Sequence, residues 1–143
     1  MLQPPIKLAN QKMTQQDTIG NEIGMCIGKL LLTAPALHKL HLKVQGTGSY
    51  ATHIALKEAY DALPDLIDTV IEGYQGASEK LLIIPETDSI EFTNVDDVIM
   101  FCRKKCDMIT NIQSTVPYSE VVSNLDSLKD CFNKLKYKLI FLK

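Results

Sequence analysis

The chain has 143 residues, of which 45% are apolar and 22% are charged, and this balance excludes a disordered protein. Its formal net charge of -2 supplies no general attraction to nucleic acid, so DNA binding is not expected without a local basic patch. The length and the lack of a linker predict one domain over residues 1–143, with residues 1–16 as a flexible N-terminal tail.

Targeting and redox signals favour a folded protein of the cytoplasm. The N-terminal residues lack the apolar segment of a secretory signal, and Lys29 and Pro35 interrupt the most apolar stretch, so no membrane span is expected. The cysteines lack the paired Cys-x-x-Cys spacing of a structural zinc site and are expected to be free thiols in a reducing compartment. They stand at positions 26, 102, 106 and 131.

Residues 18–45 are predicted to form a first helix, because apolar side chains recur along them at intervals of three, four and seven residues. These apolar residues are Ile19, Ile23, Cys26, Leu30, Leu37 and Val44. Gly20, Gly24 and Gly28 lie four residues apart and leave one face of this helix without side chains. Each glycine costs a helix interior about 1 kcal/mol relative to alanine, so we expect another helix to pack closely on this face.

The segment QGTGS, residues 45–49, ends the first helix, and Ser49 is predicted to cap a second helix over residues 50–74. Pro64 should kink this helix because it lacks a backbone donor, and the glycines at 73 and 76 should end it. Residues 76–93 have no helical period. We interpret them as a long crossover whose LLII and SIEF segments are extended and pack over the helices.

Two further helices complete the predicted fold. Thr93 or Asn94 is expected to cap the third helix, which ends before Pro117, and the fourth continues to the C-terminus with a heptad repeat. The apolar positions of the third are Val95, Val98, Ile99, Cys102, Ile109, Ile112 and Val116, and those of the fourth are Val121, Leu125, Leu128, Phe132, Leu135, Leu139 and Leu142. Four amphipathic helices with the longest connection between the second and the third predict an all-α fold, a ferritin-like four-helix bundle.

One face of the second helix collects polar candidate residues, which fall within about 100° of one another around the helix axis. They are His53, Lys57, Asp61, Asp68 and Glu72. His53 and Asp68 are separated along the axis by roughly 22 Å, so they cannot bind one metal ion within a single chain. Two antiparallel copies of the helix, related by a two-fold axis near residues 60–61, would bring His53 of one chain to Asp68 of the other.

A metal site between two copies follows from this symmetry. His41, at the end of the first helix, would complete a set of two imidazoles from one chain and the carboxylates of Asp68 and Glu72 from the other. Such a set suits iron, with manganese or zinc as alternatives. We therefore expect a homodimer with two metal sites.

The run from His41 to Glu72, HLKVQGTGSYATHIALKEAYDALPDLIDTVIE, resembles the signature of the Dps family of ferritin-like mini-ferritins. In that signature a histidine opens the segment, a second follows twelve residues later, and an Asp-x-x-x-Glu pair comes fifteen residues beyond. The resemblance implies that His41 and His53 of one subunit and Asp68 and Glu72 of its two-fold mate form an iron-oxidising site. Outside this run the resemblance is only architectural.

Three features depart from the family pattern. Lys57 stands where the family has an acidic residue, and Leu42 replaces a tryptophan. Only Lys7 and Lys12 precede the bundle, where some members carry a lysine-rich arm that binds DNA. The Lys57 ammonium would oppose the charge of a bound metal. Alternatively, Lys57 pairs with Asp61 or with the carboxylates of the other copy and replaces the metal with a salt-bridge network.

The remaining candidate residues have structural interpretations. His38 could add a ligand, but we expect a capping or surface histidine. Cys102 and Cys106 lie one turn apart and are expected to be small core residues rather than a soft-metal or redox pair. The five lysines of the C-terminal segment complement the helix dipole. The last two helices contain no Glu-x-x-His pair, which disfavours ferritin chemistry within one bundle.

Two functions follow from these patterns. In the first, the chain is a Dps-like ferroxidase that binds ferrous iron between subunits and oxidises it with peroxide or oxygen. In the second, it is a non-enzymatic ferritin-like dimerisation or scaffold protein that has lost metal oxidation because of Lys57. DNA condensation is a third function, which requires a basic exterior that the sequence barely provides.

Overall fold

The computed structural model describes residues 15–143, and these residues contain helices and no strand. The helices are α1 (Gln15–Cys26), α2 (Thr33–His41), α3 (Ser49–Ser78), α4 (Val95–Gln113) and α5 (Ser119–Phe141), and a 3-10 segment (Gly28–Leu32) joins the first two. The expected all-α class is confirmed. Residues 1–14 of the predicted tail lie outside the described residues, whereas its last two residues, Gln15 and Gln16, begin α1.

The prediction of one continuous helix over residues 18–45 is wrong. α1 ends at Cys26, the 3-10 segment follows, and Val44 lies beyond α2 in the connection to α3. An α-helix that continued through this region would require the nitrogen of Pro35 to donate to the carbonyl of Leu31, which proline cannot do. Proline is tolerated in the first turn of a helix, and Pro35 lies in the first turn of α2.

α3 differs from the predicted second helix at both ends. Its N-cap is Gly48, with a φ of 82°, and no side chain caps it, so the predicted cap by Ser49 is wrong. Glycine reaches this left-handed conformation without a steric penalty. The helix continues through Pro64 to Ser78, beyond its predicted end, because Tyr74 is only 1% exposed and anchors the last turns in the core.

The start of α4 agrees with the prediction. The side chain of Asn94 accepts a hydrogen bond from the backbone N–H of Asp97 at 3.0 Å, and the Asp97 carboxylate accepts one from the backbone N–H of Thr93 at 2.8 Å. This reciprocal arrangement satisfies two donors at the helix start. The apolar positions predicted for α4 and α5 are buried or partly buried, except Leu142, which lies beyond the end of α5 and is 46% exposed.

The helices pack as a bundle in which α3 contacts α1, α2 and α5, and α4 contacts α1 and α5, whereas α3 and α4 do not contact each other. α3 and α4 therefore occupy opposite corners, and the connection between them must cross the bundle. This crossover comprises residues 79–94 and has no regular secondary structure. Its first residues are fixed to the C-terminal end of α3, because the backbone N–H of Leu82 donates to the side chain of Gln75 at 2.9 Å.

The bare face of α1 receives this crossover, so the expectation of another helix on the glycines is wrong. A Cβ added at Gly20 would lie 3.0 Å from the side chain of Leu82, and one added at Gly24 would overlap the carbonyl oxygen of Ile83. A Cβ at Gly28 would lie 2.7 Å from the Ile84 side chain. An extended backbone that packs closely needs the same bare surface as a helix does. The predicted position of the LLII segment over the bundle is confirmed.

The apolar stretch Thr18–His41 is long and apolar enough to cross a membrane by length and composition alone. Half of its most apolar window is buried inside the bundle, and the core helix of a soluble protein meets the same criterion. The stretch is therefore weak evidence for a membrane span.

Candidate metal site on helices α2 and α3

His41 and His53 meet where the end of α2 packs beside the start of α3. Their rings are stacked, with centroids 3.5 Å apart and planes inclined by 19°. Nδ1 of His41 lies 2.7 Å from the carbonyl oxygen of His53, and Nδ1 of His53 lies 3.0 Å from the carbonyl oxygen of His41. The structure therefore brings together two predicted ligands that stand twelve residues apart in the sequence.

These two contacts determine which ring nitrogen carries the hydrogen. A carbonyl oxygen can only accept a hydrogen bond, so Nδ1 is the donor in both rings. In a neutral imidazole the lone pair then lies on Nε2. Histidines that bind metals commonly donate their other ring nitrogen to a backbone carbonyl in this way. The pair also fixes α2 against α3, and His41 is only 6% exposed.

An aromatic cluster surrounds the histidine pair. The ring of Tyr60 stacks on His38, with centroids 4.4 Å apart, and meets His41 edge to face at 5.2 Å. His38 is exposed and lies 5.8 Å from His41 between ring centroids. The expected surface position of His38 is confirmed. Tyr60 was missed by the sequence analysis, although its position seven residues after His53 places it on a similar side of α3.

The carboxylates of Asp68 and Glu72 stand apart from the histidines. Both residues are exposed on the C-terminal half of α3. Within residues 15–143, no group of three or more histidine, cysteine, aspartate or glutamate side chains could hold a metal ion. Within one chain, Asp68 and Glu72 therefore do not join His41 and His53, as the separation along α3 required.

Five exposed charged residues follow one another along α3 at intervals of four, four, three and four, and this spacing places them on one side of the helix. We call them the outer stripe: Lys57, Asp61, Asp65, Asp68 and Glu72. Asp65 was missed by the sequence analysis, although the spacing between Asp61 and Asp68 would have found it. Four acids against one lysine give the stripe a strongly negative charge.

Lys57 is engaged within the outer stripe. Its ammonium lies 2.7 Å from the Asp61 carboxylate, and both side chains are about half exposed, at 51% and 55%. The hydrogen bond from Lys57 to Asp61 raises the pKa of the lysine above its usual value, so the ammonium stays charged at neutral pH. The same ammonium lies 5.5 Å from the centre of the Tyr60 ring. Lys57 therefore brings a positive charge within reach of the histidine cluster.

The cysteines are core residues rather than a reactive pair. Cys102 and Cys106 are buried, and all four cysteines are free thiols, as expected. Burial raises the pKa of Cys102 to about 12 and that of Cys131 to about 11. The thiol of Cys106 lies 3.4 Å from the side-chain oxygen of Asn133, to which it donates. Protonated thiols are poor nucleophiles and poor metal ligands at neutral pH.

A groove of about 330 Å³ lies between α3 and α5, and its lining includes none of the four candidate ligands. Three alanines of α3 form part of its floor: Ala55, Ala59 and Ala62. Its rim carries two ion pairs, Lys138 with Glu58 and Lys134 with Asp130. Because these charges are paired across or along the rim, the groove presents no unsatisfied charged group to a ligand.

The fold and the site define an all-helical protein with a histidine pair at one helix junction and an acidic stripe beside it. Residues 41–139 match a family of unknown function, DUF5856, and this match covers more than half of the chain, which therefore belongs to that family. The matched region contains His41, His53, Asp68 and Glu72. No curated protein and no solved structure matches the chain.

Proposed function

We propose that the chain is a Dps-like, ferritin-like homodimer that binds ferrous iron between its two copies and oxidises it. The observation that carries the proposal is the reciprocal bonding of His41 and His53, which makes Nδ1 the hydrogen-bond donor in both rings, so that Nε2 is the nitrogen available to a metal. The acidic outer stripe supplies oxygen ligands on the same helix. The two halves meet only if a second copy is present.

The helix arrangement supports a ferritin-like bundle. α3 and α4 lie at opposite corners, and the long crossover that joins them runs over α1. A four-helix bundle with one long crossover between its second and third helices has the connectivity of ferritin-like proteins. In this comparison α1, the 3-10 segment and α2 together take the place of the first helix.

The donor set fits iron. Each of two equivalent sites would contain His41 and His53 from one copy and Asp68 and Glu72 from the other, about a two-fold axis near residues 60–61. Imidazole and carboxylate ligands suit iron, and manganese and zinc are alternatives. The ferrous ion is the substrate, and each ion gives one electron. Two ferrous ions and two protons would therefore reduce one hydrogen peroxide to two waters, and four ferrous ions and four protons would reduce one dioxygen to two waters. The carboxylates favour the more highly charged ferric product, because they place negative charge beside it.

The second candidate function is a dimerisation or scaffold protein without metal oxidation. The ion pair between Lys57 and Asp61 favours this second function. The pair occupies one carboxylate of the outer stripe, and Lys57 adds a positive charge near the proposed site. In this case the histidine pair serves only to fix α2 on α3. Carboxylates of the second copy would then pair with Lys57 in place of a metal.

Anaerobic titration with ferrous iron, followed by addition of peroxide, tests the first function. We expect iron uptake up to two ions per dimer and an absorbance rise on oxidation, and both should be lost in Asp68→Asn. The matched control is Asp107→Asn, which removes an exposed carboxylate from α4, the helix at the opposite corner from α3. Lys57→Asp should increase uptake, because it removes the opposing charge.

Two results would separate the candidates. Failure of uptake and oxidation in both the native chain and Lys57→Asp would reject the metal site and leave the scaffold. Oxidation in Lys57→Asp alone would identify a site that the lysine has inactivated. Light scattering distinguishes a dimer from a dodecamer, and a gel shift that weakens steeply with salt would show DNA binding.

A further inference from the structure

One end of the bundle brings together the end of α2, the start of α3 and the end of α5. Leu40, Ser49 and Leu139, one from each of these helices, line the same cavity of about 440 Å³. The backbone of Lys143 also lies against Gly48, because a Cβ added to this glycine would be 3.0 Å from it. Two segments that are distant in the sequence therefore form one surface.

Positive charge predominates on these two segments. Residues 23–57 and residues 131–143 contain lysines but no aspartate or glutamate. Lys39, Lys43 and Lys143 are exposed, and none of them makes an ion pair within residues 15–143. The acids that line cavities at this end belong to the crossover and to the start of α4. These acids are Glu91 and Asp96. The two segments therefore present lysines that no ion pair of the described chain neutralises.

Large apolar side chains are exposed beside these lysines. Leu42 and Tyr50, on either side of the loop that precedes α3, are 70% and 78% exposed. Phe141 and Leu142, at the end of α5, are 70% and 46% exposed. Each of the four stands within two residues of one that lines the cavity. Apolar side chains of this size that are exposed together mark an interaction surface. We call this surface the basic end: Leu42, Lys43, Tyr50, Phe141, Leu142 and Lys143.

The composition of the basic end indicates the kind of partner. Lysines beside aromatic side chains and leucines are typical of protein surfaces at a membrane interface. There the apolar groups enter the boundary of the acyl chains, and the ammonium groups meet anionic headgroups. Nucleic acid offers phosphates to lysines and bases that stack on aromatic rings, but it gives Leu42 and Leu142 no apolar environment. The leucines therefore favour a lipid surface.

We propose that the basic end docks on the surface of a membrane that contains anionic lipids. Tyr50 and Phe141 enter the interface, which is where aromatic side chains are enriched in membrane proteins. Lys43 and Lys143 lie at the headgroups, whose negative charge complements theirs. The basic end includes none of the four candidate metal ligands, so this inference does not rest on the proposed iron chemistry.

Co-sedimentation of the full chain with lipid vesicles tests this contact. We expect binding to vesicles of phosphatidylcholine and phosphatidylserine in equal parts, and much weaker binding to phosphatidylcholine alone. Lys43→Glu should weaken binding to the mixed vesicles by at least about tenfold, because one lysine near an anionic surface contributes roughly fivefold and glutamate also reverses the charge. The matched control is Lys104→Glu, which makes the same charge change at an exposed position in the middle of α4. It should bind nearly as well as the native chain.

Tryptophan fluorescence tests which side chains enter the lipid. The chain contains no tryptophan, so a single introduced tryptophan reports on its own position. The emission of Tyr50→Trp and of Phe141→Trp should shift to shorter wavelength with the mixed vesicles, because the indole leaves water for the interface. The matched control is Leu81→Trp: Leu81 is 86% exposed but lies just beyond the C-terminal end of α3. Its emission should stay unchanged.

Several results would overturn the inference. They are no binding to the mixed vesicles, equal binding to both kinds of vesicle, and equal losses in Lys43→Glu and Lys104→Glu. A fluorescence shift in Leu81→Trp as large as that in Tyr50→Trp would also overturn it, because the contact would then not be confined to the basic end. Binding to duplex DNA that is as strong as vesicle binding and equally sensitive to Lys43→Glu would assign the surface to nucleic acid instead. Circular dichroism checks that each variant is folded.

Discussion

The inner and outer sides of α3 differ in where their side chains find partners. On the inner side, Leu56, Leu63 and Ile67 are at most 1% exposed, and His53 bonds to His41 across the junction with α2. On the outer side, Lys57 and Asp61 pair with each other, whereas the remaining stripe acids make no ion pair within residues 15–143. The fold of one chain therefore engages the inner side of α3, whereas Asp65, Asp68 and Glu72 face solvent.

Replacing His41 should give the largest loss of stability. His41→Ala leaves the His53 carbonyl without its donor and empties a buried position, so we expect the free energy of unfolding to fall by about 2–3 kcal/mol. Urea denaturation at a fixed protein concentration measures this. His41→Asn is the matched control, because its amide can replace the Nδ1 donor but not Nε2. It should retain most of the stability and lose iron uptake.

A loss below about 1 kcal/mol in His41→Ala would contradict this interpretation. It would show that the inner junction does not depend on the reciprocal bonds. The histidines would then lack a structural role within one chain, and the inner side of α3 would depend on its apolar residues alone.

Substitutions of two glycines, one packed against the crossover and one open to solvent, should give the next largest changes in stability. Gly24→Ala places a methyl group against the carbonyl of Ile83 and should destabilise the fold by about 1–3 kcal/mol, because the crossover must move. Gly76 has nothing within 4 Å of an added Cβ, so Gly76→Ala should stabilise α3 by up to about 1 kcal/mol. Thermal unfolding of both variants measures the difference. Equal shifts in the two would show that the crossover does not rest on α1.

The sequence predicted most reliably those elements whose pattern is repeated and local. The apolar positions of α5 from Val121 to Leu139 are buried, because a heptad repeat has only one side that can face a core. Asn94 caps α4 through a bond to a residue three positions away. Both features depend on neighbours in the sequence, so they can be read without the fold.

Predictions that depend on distant segments were less successful. The glycines of α1 indicated a close approach, but a bare surface does not specify whether a helix or the extended residues 82–84 will cover it. The break before α2 arises from Pro35 together with packing of the 3-10 segment against α3. Within the candidate site, the spacing of His41 and His53 was visible, whereas their stacking depends on how α2 packs on α3.

Buried thiols give a smaller, pH-dependent test of the core. Burial raises the pKa of Cys102 to about 12, whereas an exposed thiol in the unfolded chain titrates near ~8.5. The unfolded chain therefore loses this proton first as pH rises, and Cys102 alone should lower the free energy of unfolding by about 1 kcal/mol per pH unit above pH ~9. Denaturation between pH 8 and pH 10.5 measures the total slope, to which the other buried thiols also contribute. Cys102→Ala should reduce that slope by about 1 kcal/mol per pH unit, and an unchanged slope would contradict the assignment.

The smallest expected effect on stability is that of Asp68→Asn, on the outer side of α3. This variant is also the most informative about function. Asp65, Asp68 and Glu72 follow one another at three and four residues, and like charges at this spacing destabilise a helix by a few tenths of a kcal/mol per pair. Asp68→Asn should therefore leave the free energy of unfolding unchanged or raise it by roughly 0.2–0.5 kcal/mol, as measured by urea denaturation. A clear loss would show that Asp68 has a stabilising partner within its own chain. Unchanged or increased stability together with lost iron uptake would show that the carboxylate acts outside it, since the same change is harmless to the fold.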